Sequence, residues 1–258
     1  SFMSNMLKLL YVLLACCISM NLMAQNFKVS TIERTRILVD STYDAQIPEE
    51  AVDFLAPYKH VVDSMMEPVV GHVARSMKVY RPESPLSNLM ADILMWASEA
   101  YGEKPDMAVY NMGGIRANLT KGEVTLGNVV DMAPFENKIC FLTLSGQHLI
   151  ELFQDIAQTK GEGLSKGVRM VMTKNKQLVS VTIKGKEIDT NGSYRIATID
   201  YLAHGNDHLY AFKKKTDFVA PSDASNNTRE LIANYFRAME AKGIVVDSNV
   251  EGRVTVIK

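Results

Sequence analysis

Residues 109–116 read VYNMGGIR, and how this stretch is taken decides the fold. The apolar run Met107 to Tyr110 has the length and composition of a short strand, and it stops at Asn111. Gly113 and Gly114 then let the backbone turn without a Cβ penalty, and Arg116 follows on the loop. Such a loop offers backbone N–H groups and a guanidinium fork to one anionic group, and the fork suits phosphate oxygens. A tight turn with a solvated arginine fits the same residues. Only the neighbouring sequence can choose between them.

Ahead of this stretch, residues 46–73 carry helical spacing, with Ala51, Phe54, Leu55, Tyr58, Val61, Val62 and Met65 in phase. Pro57 lies inside that pattern and predicts a kink or two shorter helices. After Arg81-Pro82-Glu83-Ser84-Pro85, the residues Leu86, Leu89, Met90, Ile93, Leu94 and Ala97 trace one face of a second helix that stops near Gly102. Downstream, strands are expected over 138–144, 168–172, 178–183 and 194–200, with Val179, Val181 and Ile183 alternating onto one face. Leu149, Leu152, Phe153 and Ile156 mark a helix after Ser145-Gly146. A last helix runs from Thr228 to Ala241, with Asn227 and Glu230 spaced as a capping box and Gly243 closing it. Helices and strands mix without a strict βαβ repeat, which predicts an α+β (irregular α/β) fold of mixed sheets flanked by helices. No linker or repeat divides the chain, so residues 46–258 are expected to form one domain behind an extension at 25–45.

The chain has 258 residues, 47% hydrophobic and 22% charged, as in an ordinary globular protein. Its formal net charge of −1 gives no reason to expect a nucleic-acid or acidic-membrane partner by bulk electrostatics. At the N-terminus, Lys8 precedes LLYVLLACCISM, an apolar run too brief to span a bilayer comfortably. It reads as a secretory leader over residues 1–24, cut after Ala24, with Met3 as the start and Ser1-Phe2 as a scar. The expected location is periplasmic or at a bacterial cell surface. Leu13-Leu14-Ala15-Cys16 also has the form of a lipobox, and lipidation at Cys16 is the one route to a membrane anchor. Cys16 and Cys17 fall in the leader, which leaves Cys140 without a disulfide partner. Its setting in an apolar strand predicts a buried, inert thiol.

Several further elements stand in a fixed order around VYNMGGIR. Ser87-Asn88-Leu89-Met90-Ala91-Asp92 opens a helix ahead of it, and Ala133-Pro134-Phe135-Glu136-Asn137 follows it. Leu142-Thr143-Leu144-Ser145-Gly146 comes next, and Tyr194 to Asp207, YRIATIDYLAHGND, completes the series. In combination this series resembles the C-terminal domain of the 5'-nucleotidase and UDP-sugar hydrolase family, over nearly the whole mature chain. The resemblance implies a substrate-recognition domain, which in that family follows a dimetal phosphoesterase domain and holds the nucleoside end of the nucleotide. Carried over position by position, the two rings that sandwich the base fall on Phe135 and Tyr201. The phosphate-facing asparagine and arginine fall on Asn111 and Arg116, with Gly113 and Gly114 between them, and the ribose-binding aspartate falls on Asp207. The physics suits these roles, since stacking a base on an aromatic face gains roughly 1–3 kcal/mol. Without the motif order, Phe135 and Tyr201 would be read as core residues.

Two departures stand out. The family's Gly-Gly-Asp is Gly205-Asn206-Asp207 here, and asparagine adopts a left-handed backbone less freely than glycine. The family's phosphate-binding arginine ahead of the Asn-Leu helix is replaced by Pro82, with Arg81 before it.

A metal reading competes over residues 201–210, YLAHGNDHLY, where Gly205-Asn206-Asp207-His208 looks like a permuted dimetal-phosphoesterase signature. Such a site needs several ligands converging from separate strands, and His60, His72 and His148 supply no Asp-x-His or His-x-His pair. His204 and His208 are therefore expected at the rim, with no catalytic or metal-binding residue in this chain. The expected function is an exported nucleotide- or nucleoside-recognition domain that is inactive alone. Divalent metals would come from a separately encoded phosphoesterase chain. The alternative is a stand-alone nucleoside-binding module used in scavenging, and a self-sufficient hydrolase ranks last.

Overall fold

The computed structural model describes residues 2–20, 28–42 and 47–258. The expected cleavage point at Ala24 and the expected domain start at residue 46 lie outside the described residues. The chain divides into two compact units, Ser1–Phe54 and Leu55–Lys258. In the first, helix α1 (Phe2–Met20) contains the apolar run that follows Lys8, and residues 28–39 carry no regular structure. Among the described residues no helix is long and apolar enough to cross a membrane.

Helix α2 (Glu49–Met66) runs unbroken through Pro57, so the expected split does not occur. The helical reading of residues 46–73 is corrected at its end. Pro68 stops the helix, and the β-branched run that follows pairs as strand β1 (Val69–Val73). The chain continues with α3 (Pro85–Ser98), β2 (Met107–Tyr110), β3 (Gly122–Thr125), α4 (Leu126–Met132), β4 (Ile139–Ser145), α5 (Gly146–Gln158) and β5 (Gly163–Leu164). Then come β6 (Val168–Thr173), β7 (Leu178–Ile183), β8 (Lys186–Glu187), β9 (Ser193–Ile199), α6 (Asp200–Ala203), β10 (Thr216–Val219), α7 (Thr228–Ala241) and β11 (Val254–Ile257).

The strands make three mixed or antiparallel sheets flanked by helices, an α+β architecture as expected. The central sheet has the order β10-β4-β9-β2-β5, a second has the order β11-β6-β7-β8, and β1 pairs with β3. All four residues of β2 are buried, so both faces of the central sheet are covered there. Val181 and Ile183 turn inward from β7 as the alternation predicted, whereas Val179 is exposed near a register shift between β6 and β7. Cys140 on β4 is fully buried, and burial pushes its thiol up to about 12, which makes it inert at neutral pH.

The register of the central sheet decides where a site can form. Strands β2 and β9 are parallel neighbours, with Ala108 opposite Ala197, so their carboxyl ends emerge at the same edge. Strand β4 is antiparallel to β9 with Ile139 opposite Ile199, which brings the start of β4 to that edge too. Asp200 fastens the junction, because its Oδ1 accepts from the Lys138 and Tyr201 amides at 3.0 and 2.8 Å. The segments at Asn111, Phe135 and Tyr201 must therefore lie close together.

Helix α3 begins with a capping box in which Ser84 and Ser87 exchange bonds, with Pro85 in its first turn. Its predicted apolar face is buried throughout. Its polar residues hold the C-terminal segment. Asn88 donates to the Glu83 carboxylate at 2.7 Å and to the Asn249 carbonyl at 2.9 Å. Arg253 is 1% exposed and forks onto Asp92 at 2.8 and 2.7 Å, while donating to the Leu164 carbonyl at 2.7 Å. Truncating one partner of such a pair removes the fork and strands buried acceptors. Arg253→Ala is therefore expected to destabilise the fold by about 3 kcal/mol, the low end for a buried pair because Asp92 stays partly solvated. Urea denaturation measures this, and a loss below about 1 kcal/mol would contradict the role assigned to Arg253.

Candidate functional site

At the edge where β2, β4 and β9 converge, a cavity of about 520 Å³ opens. Asn111, Gly113, Gly114 and Arg116 line it from the loop after β2, Phe135 from the segment before β4, and Tyr201 and Asp207 from the turn after β9. All seven residues singled out in the sequence thus line one cavity. Asn137 joins them and was missed as a site residue. It stands in the same Pro-Phe-x-Asn element, on the same side of β4 as Phe135, and that was the available signal.

Asp207 organises the cavity. Its Oδ2 accepts from Asn111 Nδ2 at 2.6 Å and its Oδ1 accepts from the Tyr201 hydroxyl at 2.9 Å. The bond to Asp207 is also what raises the Tyr201 phenol above its ordinary pKa, because losing the proton would set two negative charges together. A carboxylate can only accept, so the Asn111 amide must turn its nitrogen to Asp207. That leaves Asn111 Oδ1 buried with no hydrogen-bond partner, facing Gly114.

The backbone after β9 differs from the sequence expectation. Asn206 is not left-handed. The positive φ angles fall on Gly205 at 82°, Asp207 at 53° and His208 at 63°. Asn206 instead donates its Nδ2 to the Tyr201 carbonyl at 2.8 Å and braces the turn that carries that ring. The substitution for glycine therefore costs no left-handed strain at that position.

Phe135 and Tyr201 keep 43% and 40% of their surface exposed, so part of each ring stays open to a ligand. The Arg116 guanidinium lies 5.2 Å from the centre of the Phe135 ring, a cation–π contact of about 0.5–1 kcal/mol at an exposed site. Arg81 does not line the cavity and instead pairs with the buried carboxylate of Glu162 at 2.8 Å.

The donor set does not fit a dimetal centre. Among the described residues that line the cavity Asp207 is the single carboxylate, and both of its oxygens are engaged. His204 Nδ1 lies 2.7 Å from the Asp200 carbonyl and His208 Nδ1 lies 2.9 Å from the Tyr210 hydroxyl, and neither ring lines the cavity. Among the described residues no three His, Cys, Asp or Glu side chains stand close enough to share an ion.

The aromatic and polar cavity thus lies at the carboxyl ends of the parallel strands β2 and β9, the edge at which open sheets commonly present binding sites. The family model for "5'-nucleotidase, C-terminal domain" matches residues 69–214, and the chain belongs to that family. Protein UshA of Escherichia coli is 24% identical over 214 residues, covering 81% of this chain and 38% of the relative. Cell wall protein Lmo0130 of Listeria monocytogenes is 29% identical over 186 residues, covering 66% of this chain and 23% of the relative. The crystal structure of a 5'-nucleotidase precursor from Thermus thermophilus superposes with a TM-score of 0.69 at 26% identity, covering 81% of this chain and 43% of that one. The chain thus spans less than half the length of each of these relatives.

Gly114 tests the coupling of the loop to Asp207. A Cβ there would lie 2.7 Å from Asn111 Oδ1 and 3.2 Å from its Nδ2, so the amide must swing away. Gly114→Ala is expected to cost about 1–3 kcal/mol and to release Asn111 from Asp207. The Asn111 side-chain amide signals in an NMR spectrum report this. Signals that stay as in the unaltered protein would show that the close approach does not hold the side chain.

Proposed function

We propose that the cavity binds the nucleoside end of a nucleotide and that the chain acts, as an exported protein, with a dimetal phosphoesterase carried on a companion chain. The observation that carries this reading is the pairing of two part-exposed rings with a clasped carboxylate in one cavity. A base has two flat faces for Phe135 and Tyr201, and a ribose diol has donors for the lone pairs left on Asp207. Arg116 moves off Phe135 when the base enters and turns its fork to phosphate. Stacking supplies orientation, and hydrolysis is left to the companion's metals.

Membership of the family supports this reading, as does the Thermus thermophilus relative, which is named a 5'-nucleotidase precursor. Export is supported by the N-terminal apolar run and by the relative named a cell wall protein. A role in nucleotide catabolism follows from the same family membership.

Base stacking and a few hydrogen bonds must offset the loss of translational freedom, so binding by this chain alone should be weak, with Kd on the order of 0.1–10 mM. Phe135→Ala is expected to weaken purine nucleosides more than Arg116→Ala does, because a nucleoside has no phosphate for the fork. An NMR titration with adenosine and uridine checks this, and equal binding by the unaltered protein and Phe135→Ala would place the base elsewhere. With Mn²⁺ present the chain alone is expected to leave AMP intact. Metal-dependent turnover that disappears in the His204→Ala/His208→Ala variant would contradict the binding role.

A further inference from the structure

The cavity loop is held from behind by a residue that does not line it. Glu162 is 1% exposed, and its carboxylate makes two bonds to partners distant in sequence. Oε2 accepts from the Met112 amide at 2.7 Å, and Oε1 accepts from Arg81 Nη2 at 2.8 Å. Met112 directly follows Asn111, so the bond fixes the backbone from which Asn111 reaches Asp207.

The chain is built to bring Glu162 this close. Its two neighbours are glycines that touch carbonyls. A Cβ on Gly161 would lie 2.2 Å from the Pro82 oxygen, and one on Gly163 would lie 2.6 Å from the Ser87 oxygen and 2.9 Å from that of Tyr110. Gly161 also has φ of +105°, which disfavours any other residue. Gly161-Glu162-Gly163 is therefore wedged between the segment before α3 and the end of β2.

We infer that Glu162 is a positioning residue for the Asn111–Gly114 loop, because only a carboxylate can accept from the Met112 amide and the Arg81 guanidinium at once. Both partners are donors. A glutamine has one acceptor oxygen, and its amide nitrogen would have to face the other donor. Burial raises the Glu162 carboxyl above the usual range, and Arg81 opposes that shift. This accounts for the identity of Arg81, which takes no part in the cavity itself.

The inference about ligand binding rests on the proposed nucleoside site, and its test separates the two. Glu162→Gln is expected to weaken adenosine binding about tenfold, as loss of one charge-assisted bond would, and to move the Met112 amide proton upfield. Adding Arg81→Met to that variant removes the competing donor, so the glutamine oxygen turns to Met112. Both the amide signal and most of the affinity should return. A merely structural defect would worsen with the second substitution.

Adenosine affinity and a Met112 signal unchanged in Glu162→Gln would overturn the inference. If the unaltered protein binds no nucleoside, the proposed function fails, and the Met112 amide still decides the positioning role. If Glu162→Gln does not fold, the same amide is followed in the unaltered protein on acidification. The groups facing Glu162 are the Arg81 guanidinium, the Thr159 hydroxyl and the Met112 amide, and no second carboxylate is among them. The signal should move with a midpoint above that of an ordinary glutamate, because burial raises the carboxyl. An amide that does not respond would overturn the inference.

Discussion

Asp207 accepts one hydrogen bond from Tyr201 within its own turn and one from Asn111, and the second of these joins the loops that leave the carboxyl ends of β2 and β9. The bond from Asn111 can form only because β2 and β9 are parallel neighbours. Had β9 paired antiparallel to β2, Tyr201 would leave from the opposite edge of the sheet. The antiparallel pairing of β4 with β9 then brings Phe135 and Asn137 in at the start of a strand rather than at its end. The cavity is thus a consequence of strand direction first and of side-chain chemistry second, as at the carboxyl edge of other sheets with parallel neighbours.

What could be read from the sequence follows the range of the interactions involved. Helices α3, α5 and α7 were legible because their apolar faces and start signals lie within a few residues of one another. Strand β1 was not, since its apolar residues continue the helical phase of α2 and only Pro68 marks the break. Strand β11 was missed for a different reason. Its β-branched run Val254-Thr255-Val256-Ile257 was a local signal passed over, and its partner β6 lies more than eighty residues away. The seven cavity residues were reached through motif order and not through spacing, because Asn111 and Asp207 are 96 positions apart. Glu162 lay outside every motif, and its flanking glycines signal it only once the carbonyls they touch are known.

Charge placement divides the basic residues between two tasks. Arg81 neutralises a buried carboxylate behind the loop, whereas Arg116 lies free at the cavity and covers an aromatic face. In the proposed binding mode the first arginine holds the scaffold and the second moves with the ligand. The cation–π contact is weak enough for a base to displace, since stacking gains more than the contact of about 0.5–1 kcal/mol that it replaces.

A crystal structure of the chain with bound adenosine tests the proposed nucleoside site most directly. The base should lie against Phe135 and Tyr201 with Arg116 displaced from the Phe135 ring, and a ribose hydroxyl should bond to Asp207. Adenosine bound outside the cavity, with Arg116 still over Phe135, would contradict it.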